Sequence, residues 1–322
     1  MTSRTKIFLI ALALSLPIFW GINALEKDLS NFFFWYALSE KPDIFLAQIA
    51  PKEYDLKPSR NEEMPNAEIV AKSAVSILIN NEGREKTLFE KDIDTKLPFA
   101  SLAKLMTAYV VLENYDLSKE ITVSKEAVSQ EGNFGKLEVG NVFTTEYLLY
   151  PLLMESSNDA AFALADDYGD MTERKFVELM KEEAQKLGMA DTFFDNPTGL
   201  DPEESKTELN YSTANDLLKL AKKLLEKPLV WKILSTPKYS LYGPQLVNTN
   251  EFLFDGTGVW DGRIVGGKTG YTEMAGGCML LVLNAPKNEG LLINIILGAN
   301  GTNDRFKEME KLVDWINSAY NW

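Results

Sequence analysis

The spacing of hydrophobic and polar positions changes several times along this chain, and each change predicts an element. Ile7–Leu25 is an uncharged, mainly apolar run of 19 residues. At about 1.5 Å rise per residue, such a helix is long enough to cross a hydrocarbon core. Val75–Ile79 reads as a strand, Asn80–Gly83 as a turn, and the region of Lys86–Phe89 as a second strand. Helical spacing begins near Ser101 and runs through Met106, Tyr109, Val110 and Leu112. Further helices are predicted over Thr145–Leu153, Ser157–Asp166 and Thr172–Leu187, the last with Thr172 as N-cap and Gly188 as stop. Ser212 or Thr213 caps another through Leu225. Cys278–Leu283 and Leu291–Leu297 read as apolar strands around a hairpin signal at Asn284–Gly290, and Asp304–Ala319 as a closing amphipathic helix. Strands toward both ends with helices between them predict an α/β layered domain.

Charge placement divides the chain. Arg4 and Lys6 precede the apolar run, and Glu26, Lys27 and Asp28 follow it. That asymmetry predicts a cytoplasmic N-terminus with the remainder exported. Phe32–Tyr36, an unbroken aromatic cluster, suits the headgroup boundary. A cleaved signal peptide is the competing reading. The chain lacks a clean A-x-A site there, Ile22-Asn23-Ala24 being the nearest match. Residues 1–38 are therefore expected to form a membrane anchor with an interfacial segment. Residues 39–66 hold four of the 13 prolines and many charges, the composition of an extended spacer. Residues 67–322 are expected to form one domain.

Composition removes several chemistries. With 47 acidic and 33 basic residues the net charge is -14, which argues against nucleic acid as a partner. There is no histidine, so no Ser-His-Asp triad and no H-E-x-x-H zinc site can exist. A single cysteine, Cys278, allows no intramolecular disulfide, and its apolar strand marks it as a core thiol. Asp166-Asp167 and Glu182-Glu183 read as solvated helix faces. The oxygens of Asp195–Asp201 do not follow EF-hand spacing. No metal or cofactor is implied.

A serine nucleophile must then find another base. Ser101 and Lys104 are i and i+3 at a helix start, so both project from one face. A lysine that is desolvated and close to another cation gives up its proton more easily. The S-x-x-K spacing recurs at Ser3–Lys6 and Ser235–Lys238, so alone it is a weak signal. Ser156-Ser157-Asn158 falls between two predicted helices. Lys268-Thr269-Gly270 occurs once, after an extended segment. There a strand edge could offer a cation, a hydroxyl and a backbone N–H to a carboxylate and a developing oxyanion. Gly266, Gly267 and Gly270 would let a ligand backbone approach.

Taken together, the ordered set S-x-x-K, S-x-N, K-T-G resembles that of penicillin-binding proteins. The surrounding text is similar to the low-molecular-weight D-alanyl-D-alanine carboxypeptidases: Pro98-Phe99-Ala100-Ser101-Leu102-Ala103-Lys104-Leu105-Met106-Thr107, Ser156-Ser157-Asn158-Asp159-Ala160, Pro197-Thr198-Gly199-Leu200 and Asn210–Leu217. The resemblance implies a β-lactamase/D,D-peptidase-like α/β fold over 67–322, a mainly antiparallel sheet flanked by helices with an all-helical insert. It implies Ser101 as nucleophile, Lys104 as base, Ser156 as proton relay and Asn158 as positioner of Lys104 and the substrate amide. Lys268 and Thr269 would hold the terminal carboxylate, with Gly270 beside them and the N–H groups of Ser101 and Tyr271 as oxyanion hole. Substrates would be peptidoglycan stem peptides, with β-lactams as covalent inhibitors, on the outer side of the cell membrane. Longer members carry a C-terminal β-rich domain and a terminal membrane helix; here the N-terminal span is expected to anchor. Two departures stand out. Tyr271 occupies a position where histidine is frequent, and the family's carboxylate-binding arginine has only Arg263 or Arg305 as substitutes. The same chemistry also suits a D,D-endopeptidase cutting crosslinks, and a non-enzymatic penicillin-sensing or wall-binding module would use the same pocket. A β-lactamase would need a glutamate in an E-x-x-L-N loop; the nearest segment, Lys206–Asn210, begins with lysine.

Overall fold

Five antiparallel strands build the central sheet: β1 (Ser73–Asn80), β2 (Glu85–Lys91), β3 (Ile264–Thr272), β4 (Gly276–Asn284) and β5 (Gly290–Ala299). Their order is β3-β4-β5-β1-β2. The computed structural model describes Leu29 and residues 57–322 except 133–134, 203–208, 242–244, 255–259 and 261. The expected membrane span, the aromatic segment, the spacer up to residue 56 and Lys206–Glu208 lie outside the described residues. Among those described, no helix is long and apolar enough to cross a membrane. One compact unit runs from Pro58 to Trp322. Ser59–Arg60 pairs with Tyr320–Asn321, so this unit includes the end of the segment read as a spacer.

The central strands are apolar almost without interruption because the sheet is covered on both faces. Side chains alternate along each strand. Val75, Ile77, Leu280, Val282, Ile293 and Ile295 join the core under the helical layer. Ala74, Leu78, Met279, Leu281, Leu292 and Ile296 join a second core. That second core is closed by the helix Asp304–Ala319 through Phe306, Met309, Leu312 and Ile316. Asn294, buried among them, is satisfied by Ser76 Oγ at 2.8 Å and Leu281 O at 3.2 Å.

Among the described residues, six α-helices of seven residues or more and one single-turn α-helix, Lys125–Val128, lie in the insert between β2 and β3; the longer ones are α1 (Ala103–Asn114), α2 (Thr145–Met154), α3 (Asn158–Asp166), α4 (Glu173–Lys186), α5 (Ala214–Leu224) and α6 (Pro228–Leu234). The closing helix Asp304–Ala319 is α7. Thr172 and Thr213 cap α4 and α5 as expected, and Ser157 caps α3 by accepting from Ala160 N at 3.1 Å. α1 is buried on all sides from Ala103 to Val111, the environment of an internal helix rather than a surface one. Hydrophobic periodicity did not predict α6, which is only seven residues long. The body of the insert is helical, but two-stranded ribbons pin it as well: Leu97–Pro98 with Tyr211–Ser212, Glu120–Thr122 with Val142–Thr144, and Lys238–Tyr239 with Leu246–Val247. β3, an edge strand of the sheet, passes the start of α1. This juxtaposition makes the site.

Candidate active site

The S-x-x-K segment opens as a 3₁₀ turn, Ala100–Leu102, running directly into α1. Ala100 takes φ 49°, a left-handed conformation for a residue with a side chain. Strain of this kind costs about 1–3 kcal/mol and persists where the surrounding structure enforces it. Gly199 supplies part of that enforcement. It sits at φ 82°, and a Cβ there would lie 2.1 Å from Ala100 O. Ser156 is likewise left-handed, at φ 62°, in the short turn between α2 and α3.

Lys104 is fully buried. Its Nζ lies 3.0 Å from Ser101 Oγ, 2.7 Å from Asn158 Oδ1 and 2.5 Å from Thr198 O. Asn158 Nδ2 donates to Glu131 O at 2.6 Å, which fixes the amide orientation. Burial draws the Lys104 amine down to about 7, because the charged form loses its water. A neutral amine has two N–H bonds and one lone pair. Asn158 Oδ1 and Thr198 O can only accept, so they take the two N–H bonds and leave the lone pair for the Ser101 hydroxyl.

Lys268 is also fully buried, on β3. Its Nζ donates to Ser156 Oγ at 2.8 Å and to Thr269 O at 2.8 Å. Burial holds it well below the usual lysine value, with the charges of Lys104 and Arg305 adding to the effect. Two desolvated amines, each with a serine hydroxyl in reach, therefore flank one cleft.

That cleft encloses about 330 Å³ and is lined by Ser101, Ser156, Asn158, Thr269, Gly270 and Tyr271, together with Glu131, Glu155, Thr249, Thr302 and Arg305. All eight sequence-predicted residues are thus brought together. Six line the cleft, while Lys104 and Lys268 sit behind Ser101 and Ser156. Gly270 packs so closely that a Cβ there would stand 3.0 Å from Ser101 N. The edge of β3 and the first N–H groups of the S-x-x-K turn consequently face the same space. Of the two candidate arginines, Arg305 lines the cleft and donates from Nη1 to Gly270 O at 3.0 Å. Arg263 instead bonds Asn284 O and Asn317 Oδ1.

Four participants were not singled out from sequence. Thr249 Oγ1 bonds Thr269 Oγ1 at 2.7 Å. Thr198 contributes only a backbone carbonyl, which no side-chain pattern could announce, although Pro197–Leu200 had been read as a family phrase. Glu155 and Glu131 carried no spacing signal. Asn210, in the segment compared with the β-lactamase loop, accepts from Asp195 N and Asn196 N and so holds the Asn196 turn. Asn196 Oδ1 in turn accepts from Thr198 Oγ1 and Gly199 N. Cys278 is buried and unpaired, and burial pushes its thiol up to about 11.

A serine hydroxyl facing a buried amine whose pKa is drawn down to about 7, beside the backbone of an edge strand, defines a serine hydrolase that works without histidine. Comparison with known proteins agrees: residues 59–301 match the family model of peptidase family S11, D-alanyl-D-alanine carboxypeptidase. The chain belongs to that family. It is 30% identical over 289 residues to the D-alanyl-D-alanine carboxypeptidase DacF of Bacillus subtilis, covering 86% of this chain and 69% of the relative. It is 31% identical over 253 residues to a D-alanyl-D-alanine endopeptidase of Pseudomonas aeruginosa, covering 76% of this chain and 77% of the relative. Its fold is similar to that of penicillin-binding protein D2 from Listeria monocytogenes in a cefotaxime-bound form, with a TM-score of 0.66 at 28% identity, over 79% of this chain and 100% of that one.

Proposed function

We propose that the protein removes the terminal D-Ala from peptidoglycan stem peptides through an acyl-serine intermediate. The observation that carries this reading is the contact between Lys104 Nζ and Ser101 Oγ at 3.0 Å, with the amine drawn to about 7 by burial. Ser101 Oγ attacks the carbonyl of the penultimate D-Ala while its proton passes to Lys104. The N–H groups of Ser101 and Tyr271 receive the developing oxyanion, a contribution of roughly 10²–10³ in rate per donor. Ser156, hydrogen-bonded to Lys268, gives its proton to the leaving D-Ala amine as the C–N bond breaks and takes up the proton that Lys104 accepted from Ser101, which leaves Lys104 neutral again. Water then attacks the ester, the neutral Lys104 takes a proton from it and returns that proton to Ser101 Oγ as the ester C–O bond breaks, so that the serine hydroxyl and the neutral amine are both regenerated. Thr269, Thr249 and Arg305 form the end of the cleft that receives the substrate carboxylate, and Lys268 acts from behind Ser156. A β-lactam enters as an acylating mimic; the cefotaxime-bound Listeria relative supports this.

The Pseudomonas relative named as an endopeptidase favours a second reading, cleavage of crosslinks, in which the same acyl-enzyme forms with a different leaving group. Incubation with a stem pentapeptide and with a crosslinked dimer separates the two. Release of D-Ala from the pentapeptide supports the first. Cleavage of the dimer alone supports the second, and turnover of neither contradicts both. The uncharged run Ile7–Leu25 and its basic flank support a further part of the proposal, that the enzyme is anchored in the cell membrane with its catalytic domain outside.

A further inference from the structure

We infer that Glu155 is a positioning residue for the proposed acyl transfer, a single buried carboxylate that ties both walls of the cleft to the Ser156 turn. The inference rests on the reading of the protein as a D,D-peptidase. Glu155 ends α2 immediately before Ser156 and lines the cleft at only 8% exposure. Its Oε2 accepts from Gly135 N at 2.9 Å, and its Oε1 accepts from Val247 N at 2.9 Å.

Each bond leads to a different part of the chemistry. Gly135 belongs to the stretch that carries Glu131, whose carbonyl fixes the Asn158 amide and through it Lys104. Gly135 itself packs directly on the S-x-N turn, since a Cβ there, at φ 88°, would lie 2.6 Å from Ser157 Oγ. Val247 leads into Thr249, whose N–H is held by Met154 O at 2.9 Å and whose hydroxyl bonds Thr269 Oγ1 at 2.7 Å. One side chain thus stands between the strand that would receive the substrate carboxylate and the amide that orients the base.

The chemistry of the two partners explains why a carboxylate is needed. Both are N–H donors, so the central group must accept on both sides. Glutamine has the same length but turns an NH₂ toward one of them. An apolar residue leaves the buried Gly135 N–H unsatisfied and frees the half-buried Val247 N–H from the wall of the cleft. Its place beside Ser156, with one oxygen on each wall of the cleft, points to the site rather than to the core.

The test compares wild type, Glu155→Gln and a core control, Leu220→Ala, for thermal midpoint and for kcat and KM in D-Ala release from a stem pentapeptide. Leu220 is fully buried in α5. The Gln variant is expected to lose about tenfold or more in kcat/KM, with kcat falling and KM rising. Leu220→Ala is expected to lower the midpoint while keeping both constants within about twofold. Amide exchange in the wild type reads the two bonds without any variant: Gly135 and Val247 are expected to be protected together. An active wild type beside a Gln variant of equal kcat/KM, a loss matched by Leu220→Ala, or unprotected Gly135 and Val247 amides would each overturn the inference alone. A wild type that turns over no stem peptide would overturn the functional reading, and this inference with it.

Discussion

Lys104 Nζ lies 3.0 Å from Ser101 Oγ while its remaining neighbours, Asn158 Oδ1 and Thr198 O, can only accept hydrogen bonds. The amine is therefore oriented by valence as well as by packing. Removing it should leave the nucleophile in place without a base. Lys104→Gln is expected to slow acylation by fluorescent penicillin by roughly 10²–10⁴-fold, with Ser101 still intact. Lys104→Arg should fare no better, because guanidinium stays protonated. Near-normal labelling of either variant would assign the base elsewhere.

Acylation should also depend on pH through this group. The working form is the neutral amine, so the rate is expected to rise with pH, level off above about 7, and be roughly tenfold lower one unit below that value. The stability effect has a definite sign. Lys104 is held at about 7 in the folded state, below its ordinary 10.5. Between these values the unfolded chain keeps a proton that the folded chain has released. Raising the pH through this window therefore stabilises the fold, and the gain is lost as pH falls back to about 7. Labelling rate and thermal midpoint, each measured against pH for wild type and Lys104→Gln, check both statements. A flat wild-type profile would contradict them.

The legibility of this chain follows physical lines. Ser101 and Lys104 are one helical turn apart, and Lys268–Gly270 lie on one strand, so each group is local in the sequence, and the ordered set of three motifs with its family resemblance nominates them together. The paired strands around Asn284–Gly290 and the capped helices at Thr172 and Thr213 were legible because local propensity and burial agree there. What escaped notice depends on distant parts of the chain. Thr198 acts through a carbonyl, the choice of Arg305 over Arg263 depends on its reach to Gly270 across 35 positions, and Glu155 gains meaning only when Gly135 and Val247 fold against it. α6 was missed because seven residues give too little periodicity to read.

Two glycines should resist even the smallest added side chain. At Gly199 a Cβ would collide with Ala100 O at 2.1 Å in a left-handed backbone, leaving the turn that holds Ser101 nowhere to go. Gly199→Ala is expected to give little soluble protein, or protein that penicillin does not label. Gly270→Ala meets a gentler contact, 3.0 Å from Ser101 N and 3.2 Å from Ala100 Cβ. It is expected to fold and to acylate about tenfold or more slowly, as the oxyanion donors are pushed apart. Circular dichroism and labelling kinetics separate the two outcomes, and unimpaired acylation of Gly270→Ala would contradict the proposed oxyanion hole.

The arginines can be told apart by their loss. Arg305→Gln is expected to raise KM for stem peptides by about 10–100-fold, the range for removing a hydrogen bond to a charged group. Arg263→Gln, whose contacts are with Asn284 and Asn317, should leave KM nearly unchanged. A peptide ending in a carboxamide sharpens the comparison. Wild type should discriminate against it strongly and Arg305→Gln only weakly. Equal discrimination by both would remove Arg305 from carboxylate binding.

The most direct test of the account is intact mass spectrometry of wild type and Ser101→Ala after penicillin treatment, followed by peptide mapping of the adduct. The expected result is one penicilloyl group per chain, on the peptide containing Ser101, and none on the variant. An adduct on Ser156 or any other serine, or labelling that survives Ser101→Ala, would contradict it.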